Sequence, residues 1–180
     1  STGPKIHMKY AFLALERKLD CFIEASVVQS KEIMKLAELV KISKNIILPS
    51  CTMHYFRGPA AVKKIISEGK IGKPLNINYQ TGQFLPDWHP WENIQEFYVS
   101  VRETGGAREI VPFELTWLNE IFGTPKPLSC VKEKISDIDA DIDDIYHICL
   151  RYPENILANI TIDVISRPVA TRELNILGAK

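Results

Sequence analysis

The chain has 180 residues, of which 46% are hydrophobic and 24% charged, and lysine plus arginine balance aspartate plus glutamate at 22 each. This balance argues against a nucleic-acid or membrane-surface partner, because both require clustered basic charge. No apolar run approaches the roughly 20 residues that span a bilayer, and no signal-peptide pattern opens the sequence. We therefore expect a cytoplasmic protein without a nucleic-acid or membrane partner.

The first 56 residues alternate between helical and strand-like patterns. Ser1-Thr2-Gly3-Pro4 is typical of a helix entry. Residues 19–24 and 45–48 form short apolar strands, and a helix that Ser30 could cap lies between them. This rhythm predicts a parallel α/β sheet. Two parallel strands with one crossover do not make a stable domain, so we interpret this part as the trailing edge of a larger doubly wound unit.

From residue 57 onward the pattern changes. A helix opening at Pro59 is followed by an alternating strand at 75–80 and by a second helix from about Glu109 to Phe122. Strand-like runs then follow, with Pro153-Glu154-Asn155 as a hairpin turn. These runs are 128–135, 145–152, 156–165 and 173–177. Consecutive strands with short connections predict an open, largely antiparallel sheet with a packed helix. The predicted class is thus α/β, with an α+β second half.

Cysteine, histidine and aspartate patterns give no sign of a metal site. Four cysteines lie far apart without a CxxC pair, and we predict buried, free thiols in a reducing compartment. The histidines lack zinc-ligand spacing. The aspartate run at 137–144 lacks the Gly and Glu of a calcium loop, and we interpret it as a solvated strand edge. The cysteines are Cys21, Cys51, Cys130 and Cys149.

The segment from Asp87 to Trp91 combines residue types of a polar small-molecule pocket. Imidazole suits proton transfer near neutral pH, so His89 is a candidate catalytic residue that Asp87 could orient. The indole of Trp88 could stack on a sugar ring or on nicotinamide. The alternative is a proline-braced loop whose tryptophans pack on the core.

The helix from about Glu109 to Phe122 supplies further candidate catalytic and binding residues. Gly105-Gly106 is interpreted as a flexible hinge before it, and Glu114 falls within its apolar stripe. A carboxylate in such a place must be paired or must resist ionisation, which is how a general acid or base is made. The alternative is a structural ion pair with Arg102 or Arg108. Glu109 could reach the same pocket or favour the positive helix N-terminus.

Glu24 and Ala25 lie at the carboxyl end of the first predicted strand. Open α/β sheets bind ligands at this edge. The Glu24 carboxylate could therefore hydrogen-bond a ribose, a nicotinamide amide or a substrate. The alternative is a solvated strand-end acid.

Four motifs in order resemble those of the Gfo/Idh/MocA oxidoreductases, which are NAD(P)-dependent sugar and polyol dehydrogenases. Residues 1–4 with His7 resemble the family's TPxxxH turn beside the cofactor. Residues 21–26 stand where the family has a strand ending in Glu-Lys-Pro. Residues 69–74 resemble its GxIGxP linker, and residues 105–106 before a helix resemble its GGG turn and catalytic helix.

The resemblance implies a domain organisation and a set of ligand-binding residues. Residues 1–56 would be the C-terminal remnant of a Rossmann-type dinucleotide-binding domain, and residues 57–180 a substrate and dimerisation domain. NAD or NADP and a small-molecule sugar would be the ligands. The resemblance places Thr2, Pro4, His7, Glu24 and Ala25 at the cofactor and Phe113 at the substrate. The residue chemistry above places Asp87, Trp88 and Glu109 at the substrate as well.

Several family features are replaced or lacking in this sequence. Ala25 replaces the family's lysine, Phe113 and Thr116 replace its helical His and Asp, and the GxGxxG phosphate turn is absent. Two hypotheses follow. The first is a sugar or sugar-nucleotide oxidoreductase in which His89 or Glu114 handles the proton, although the chain alone would bind a dinucleotide weakly. The second is a degenerate member that serves as a sugar-binding or dimerisation scaffold.

A homo-oligomer is expected under either hypothesis, because the open sheet face commonly builds a dimer in this family. The run 156–164 alternates apolar with other residues and would offer a suitable apolar face. Its apolar members are Ile156, Ala158, Ile160, Ile162 and Val164.

Overall fold

A computed structural model describes residues 2–26 and 28–180 of the chain. The chain divides into two units, Ser1–Cys51 and Thr52–Lys180. In the first unit a short 3-10 turn leads into α1, followed by β1, α2 and β2. These elements are α1 His7–Glu16, β1 Cys21–Ile23, α2 Ser30–Lys41 and β2 Ile47–Pro49.

Strands β1 and β2 pair in parallel, which confirms the α/β rhythm predicted for this part. Helices α1 and α2 pack around a small core to which Met8, Ala11 and Leu36 contribute. Ser30 is the first residue of α2 rather than its cap, because Gln29 occupies that position and makes no side-chain capping bond. The strands are shorter than the sequence patterns predicted.

The second unit contains two helices and five strands. A 3-10 turn at Thr52–Tyr55 opens it, and further short turns connect β3 to α4. Its elements are α3 Arg57–Ser67, β3 Pro74–Gly82, α4 Ala107–Phe122, β4 Lys126–Glu133, β5 Ile145–Tyr152, β6 Ile156–Asp163 and β7 Thr171–Gly178.

The five strands form one sheet in the order β4-β5-β6-β3-β7. Three of the neighbouring pairs are antiparallel, and β3 runs parallel to β6. The predicted open, largely antiparallel sheet is therefore confirmed. The parallel pair arises because the chain leaves the sheet after β3, forms α4, and returns through β4 and β5 before β6 lies beside β3.

One face of this sheet packs against α4 and forms the main core. Ile77 of β3 and Ile160 of β6 are among its buried side chains, together with Trp117 and Leu118 of α4. The run 156–164 belongs to this face. Its five apolar side chains are at most 6% exposed, so its prediction as an exposed apolar face was wrong. The side chains that point the other way include polar ones, such as Asn78 and Asn159, and the exposed apolar Leu157 and Leu177.

The aspartate run is a loop between β4 and β5, so its interpretation as a strand edge was wrong. Asp144 is fully buried and accepts hydrogen bonds from the backbone N–H groups of Ile135 and Ser136, each 2.9 Å long. Asp143 is also buried and is paired with Lys132 and Arg102. These carboxylates hold the loop by saturating its backbone donors and neighbouring cations.

All four cysteines are free, as predicted, but their predicted burial was wrong. Cys130 is exposed, and the other three are partly exposed. The two cysteines of the five-stranded sheet lie on opposite faces, because Cys130 pairs in register with Ile148 and Cys149 with Ser129.

Gly105 and Gly106 are required by packing, and their interpretation as a flexible hinge was wrong. A Cβ atom at Gly105 would lie 2.0 Å from the carbonyl oxygen of Val99, and one at Gly106 would lie 2.7 Å from that of Asp143. Gly106 also has a φ of 63°, a conformation that favours glycine. The pair therefore lets the chain pass close to its neighbours before α4 begins.

Candidate functional site

The most promising pocket lies in the second unit, beside α4 and the start of β7. Its volume is about 320 Å³. Aromatic and sulfur-containing side chains form part of its wall, and charged and amide groups form the rest. The lining residues are Thr52, Met53, Phe56, Gln83, Trp88, Glu109, Ile110, Phe113, Glu114 and Arg172. An apolar wall with a few convergent polar groups is typical of a site for a small polar molecule.

Glu114 sits at the base of this pocket, where it is 1% exposed. Its Oε1 accepts a hydrogen bond of 2.7 Å from Nη2 of Arg172. Its Oε2 accepts bonds from the Tyr79 hydroxyl at 2.5 Å and from the Trp117 indole N–H at 2.8 Å. Glu114 is thus a structural ion-pair partner, as one alternative held, but the predicted partners Arg102 and Arg108 were wrong. Arg102 pairs instead with Asp141 and Asp143.

The neighbours of Glu114 respond to its charge. Burial raises the pKa of Tyr79 well above its ordinary value, and the Glu114 carboxylate raises it further. Burial alone would lower the pKa of Arg172, but the charge of Glu114 and its hydrogen bond raise it overall. Both shifts favour the protonated form, so Tyr79 and Arg172 remain hydrogen-bond donors to Glu114 at neutral pH.

Glu109 lies five residues before Glu114 on α4 and also lines the pocket. Its Oε1 accepts a hydrogen bond of 2.6 Å from the Tyr98 hydroxyl. Glu109 is partly exposed as a residue, although its Oε2 atom is buried, whereas Glu114 is buried throughout. Phe113, one turn further along α4, lines the same pocket, and Thr116 donates its hydroxyl proton to the Phe113 carbonyl oxygen at 2.8 Å.

Trp88 is the member of the aromatic segment that reaches the pocket. Its indole Nε1 is buried, and no acceptor for it is found among residues 2–26 and 28–180. A buried N–H without an acceptor is unfavourable, since the group has lost its hydrogen bonds to water. This donor is therefore well suited to a ligand oxygen.

His89 and Asp87 do not line the pocket. The His89 ring packs against Phe97 at 4.4 Å and Trp91 at 5.3 Å between centroids, and its Nδ1 lies 3.3 Å from Oε2 of Glu92. Asp87 is exposed at the end of a 3-10 turn. The structure thus separates His89 from Trp88, although the two are adjacent in sequence.

The predicted cofactor residues lie in the first unit. Glu24 and Ala25 follow β1 directly, and Oε1 of Glu24 accepts hydrogen bonds from the Ser50 hydroxyl at 3.1 Å and the Ala25 N–H at 3.2 Å. Ser50, which follows β2, is a residue that sequence reasoning missed. It joins Glu24 because the carboxyl ends of parallel strands meet at one edge of the sheet.

The N-terminal motif forms a separate local contact. His7 is buried at the start of α1, and its Nε2 lies 2.9 Å from the carbonyl oxygen of Thr2. Thr2 is exposed, and Pro4 is buried in the short 3-10 turn.

Sequence reasoning also missed Arg172 and Tyr79, although the strand pattern contains a signal for both. Leu174 and Ile176 of β7 contact the core, so the alternation places Arg172 on the same inward face. Ile77 and Tyr79 of β3 are related in the same way. An inward arginine requires an acidic partner, and the inward Glu114 on the facing helix provides one.

The sheet packed on one long helix, together with the pocket beside that helix, defines an α+β domain. Residues 60–180 match the family described as the GFO/IDH/MocA C-terminal domain. This match covers more than half of the sequence, and the chain belongs to the Gfo/Idh/MocA family. A comparison with the curated proteins finds no match.

Several solved structures share the fold. An inositol dehydrogenase homolog from Azotobacter vinelandii, complexed with NAD+, is 13% identical with a TM-score of 0.83, over 99% of this chain and 48% of its own. Myo-inositol 2-dehydrogenase from Lactobacillus plantarum is 15% identical with a TM-score of 0.81, over 99% and 53%. An oxidoreductase from Agrobacterium radiobacter, in complex with NAD+, L-tartaric acid and magnesium, is 12% identical with a TM-score of 0.84, over 99% and 52%.

The chain spans about half the length of these structures. At these identities the likeness establishes the fold, which agrees with the α/β class predicted from the sequence. In the part of the chain that the structure describes, no helix is long and apolar enough to cross a membrane. That part also has no group of three or more His, Cys, Asp or Glu side chains arranged to hold a metal ion.

Proposed function

We propose that this chain supplies the substrate-binding part of an NAD(P)-dependent oxidoreductase that acts on a sugar or polyol. The pocket beside α4 is the observation that carries this proposal. Phe56, Trp88 and Phe113 offer aromatic surface against which the C–H face of a sugar ring can pack. Gln83 and Glu109 offer hydrogen bonds to its hydroxyl groups. Dehydrogenases of inositol with the same fold support this substrate class.

Within this proposal, Glu109 is the group that exchanges a proton with the substrate hydroxyl or carbonyl during oxidation or reduction. Of the groups considered from sequence, His89 faces Glu92 outside the pocket, and both oxygens of Glu114 are occupied by donors. Glu109 lines the pocket and holds the Tyr98 hydroxyl at 2.6 Å, so proton exchange could pass between the substrate, Glu109 and Tyr98. Trp88 and Phe113, which line the pocket, remain proposed substrate-binding residues. Asp87 also remains one, although it is exposed and does not line the pocket.

The residues of the first unit fit a nicotinamide dinucleotide only in part. Glu24 and Ser50 form a polar cluster at the carboxyl edge of β1 and β2, where such cofactors bind in doubly wound sheets. The phosphate-binding GxGxxG turn is not in the sequence. We propose that residues 1–56 are the end of a dinucleotide-binding domain and that residues 57–180 bind substrate. NAD or NADP, when bound, would accept or supply the hydride.

The remaining cofactor assignments rest on the family motif. Thr2, Pro4 and His7 would shape the turn beside the cofactor, and Ala25 would leave room where related proteins carry a lysine. Because all four cysteines are free, a reducing compartment such as the cytoplasm is the location that we propose.

The test of this proposal is an activity assay. The assayed protein would carry a dinucleotide-binding segment joined to this chain. NADH formation from a panel of sugars and polyols is expected, with Glu109→Gln lowering kcat by roughly 100-fold or more. If His89→Ala lowered kcat by a similar factor and Glu109→Gln left kcat unchanged, the proton-transfer role would belong to His89 and not to Glu109. Absence of both cofactor binding and turnover would contradict the oxidoreductase proposal.

A second candidate function is a sugar-binding or dimerisation scaffold that has lost the chemistry. Ala25, Phe113 and Thr116 favour it, because they replace the lysine, histidine and aspartate that the family resemblance implies. We also propose that the outer face of the sheet, which carries polar side chains and the exposed Leu157 and Leu177, contacts a second copy, in place of the apolar run 156–164. Sugar binding without turnover by any substrate of the panel would favour this function.

A further inference from the structure

One wall of the substrate pocket presents hydrogen-bond donors that lack acceptors, and we propose that it binds a carboxylate group of the substrate. Arg172 would hold this carboxylate, and Glu114 would act as a positioning residue for Arg172. The inference rests on the proposed function for the location of the substrate. It narrows the substrate class from sugars in general to sugar acids.

Arg172 has donors to spare. A guanidinium group carries five N–H donors. Nη2 of Arg172 donates to Glu114 at 2.7 Å, and Nε donates to the Tyr79 hydroxyl at 3.3 Å. Among the described residues, none accepts a hydrogen bond from Nη1. The side chain is 40% exposed and lines the pocket, so its remaining donors are accessible to a ligand.

Glu114 fixes the orientation of this guanidinium group. The carboxylate is buried and receives two further donors, from Tyr79 and Trp117, so it cannot move toward a ligand or exchange Arg172 for solvent. A fork held at one side presents its other side in a fixed direction. Preorganised donors of this kind bind a planar carboxylate with two parallel hydrogen bonds.

The Trp88 indole gives an independent indication. Its Nε1 is buried in the wall of the same pocket and finds no acceptor among residues 2–26 and 28–180. An indole donates only, as does a guanidinium. A hydroxyl group would bring its own donor into this region, whereas an ionised carboxylate brings only acceptors. The donors of Trp88 and Arg172 therefore favour a carboxylate over a hydroxymethyl group.

Glu109 limits where the carboxylate can lie. Its own negative charge would repel a second one close by. Glu109 and Glu114 are five residues apart on α4, which corresponds to about 7.5 Å along the helix axis. The substrate carboxylate would therefore occupy the Arg172 region of the pocket, and the hydroxyl groups of the sugar would face Glu109.

Matched pairs of ligands test this inference. Isothermal titration, with and without NADH, would compare D-glucuronate with D-glucose, D-galacturonate with D-galactose, and D-gluconate with D-glucitol. The protein would be this chain joined to a dinucleotide-binding segment. At least one acid is expected to bind tenfold or more tightly than its neutral partner. Arg172→Gln should weaken that acid roughly 10- to 100-fold and leave the neutral partner unchanged.

Two further variants keep the test decisive. Arg172→Gln leaves Glu114 buried without its cation and could unfold the domain, so Glu114→Gln combined with Arg172→Gln removes both charges and should give the same selective loss. Arg151→Gln, which removes an arginine from the outer face of the sheet, should leave all affinities unchanged.

Several outcomes would overturn the inference. These are acids that bind no better than their neutral partners in every pair, an equal loss for acid and neutral ligands in the Arg172 variants, or D-glucose 6-phosphate binding better than every acid. The proposed function fails separately. Selective binding of an acid without NADH binding or turnover would support the carboxylate site and contradict the oxidoreductase.

Discussion

The inner face of the five-stranded sheet buries isoleucines and tyrosines against α4 and its carboxylate Glu114, whereas the outer face carries polar side chains among a few exposed apolar ones such as Leu157 and Leu177. In the outer rows Asn159 donates to Asn78 at 3.3 Å, and Cys149 donates to Asn159 at 2.9 Å, all near solvent. On the inner side, Glu114 receives three donors and no solvent. Removing an exposed polar group changes the free energy of unfolding little, because water replaces its hydrogen-bond partner. A buried polar group has no water nearby, so other groups of the protein must form all of its hydrogen bonds.

The largest expected change in stability distinguishes two adjacent residues of β6, Ile160 and Asn159. Ile160 is 1% exposed and faces α4, while Asn159 points outward. Ile160→Ala should lower the free energy of unfolding by roughly 2–5 kcal/mol, because it removes buried methyl groups and leaves a cavity. Asn159→Ala should change it by less than about 0.5 kcal/mol. Urea unfolding of both variants measures this, and equal losses would contradict the assignment of the two faces.

A smaller loss is expected when the buried carboxylate of Glu114 is neutralised. Glu114→Gln should lower the free energy of unfolding by about 2 kcal/mol. Arg172 would lose its charged partner, and one of the donors that now bind Glu114 would face the NH2 group of the new amide. The cost stays below that of a fully buried pair because Arg172 is 40% exposed and can be hydrated. Glu120→Gln, on the exposed part of the same helix, is the matched control and should cost less than about 1 kcal/mol. A stability unchanged by Glu114→Gln in urea unfolding would refute the structural role of the pair.

The next effect depends on pH. Burial raises the pKa of Tyr152 to about 12, and its hydroxyl donates to Asn119 at 2.9 Å. Above about pH 10 the unfolded chain releases this proton before the folded chain does, so stability falls as pH rises from there. Tyr152→Phe should cost about 1 kcal/mol near neutral pH.

The difference between the wild type and this variant should narrow in alkaline solution, because Phe has no proton to release. Urea unfolding of the two proteins at about pH 8 and about pH 11 measures it. A difference that stays constant between these conditions would mean that Tyr152 titrates at its ordinary pKa.

The smallest effect on stability is expected on the outer face. Thr161 lies there, beside His147. Thr161→Arg should change the free energy of unfolding by less than about 0.5 kcal/mol. If the outer face contacts a second copy, the same variant should shift the protein from dimer to monomer in analytical ultracentrifugation. An unchanged mass would place the contact elsewhere.

Much of the fold could be predicted from the sequence, because period-two alternation identifies strands by local pattern alone. The run at 145–152 matches β5, and the hairpin turn at Pro153–Asn155 is confirmed. The alternation of the run 156–164 indicated two different faces but not which of them α4 covers. The parallel pairing of β3 with β6 was also out of reach, since it joins segments about 80 residues apart.

The candidate site was predicted less completely for the same reason. Glu114, Glu109, Trp88 and Phe113 were found because they fall within one stretch of sequence, and all of them line the pocket. Arg172 lies 58 residues beyond Glu114 and is brought to it only by the sheet. His89 shows the converse case, in which a neighbour in sequence turns away from the pocket.

The position of β7 at the end of the sheet order has a consequence for how ligand binding would be detected. Among residues 2–26 and 28–180, β3 is the one strand that pairs with β7, and Arg172 is the second residue of β7. An edge strand opens more readily than a central one, so its amides should exchange with deuterium faster than those of β6. A ligand held by Arg172 would anchor the start of the strand. Slower exchange along β7 would then report occupancy of a pocket that most of those amides never touch.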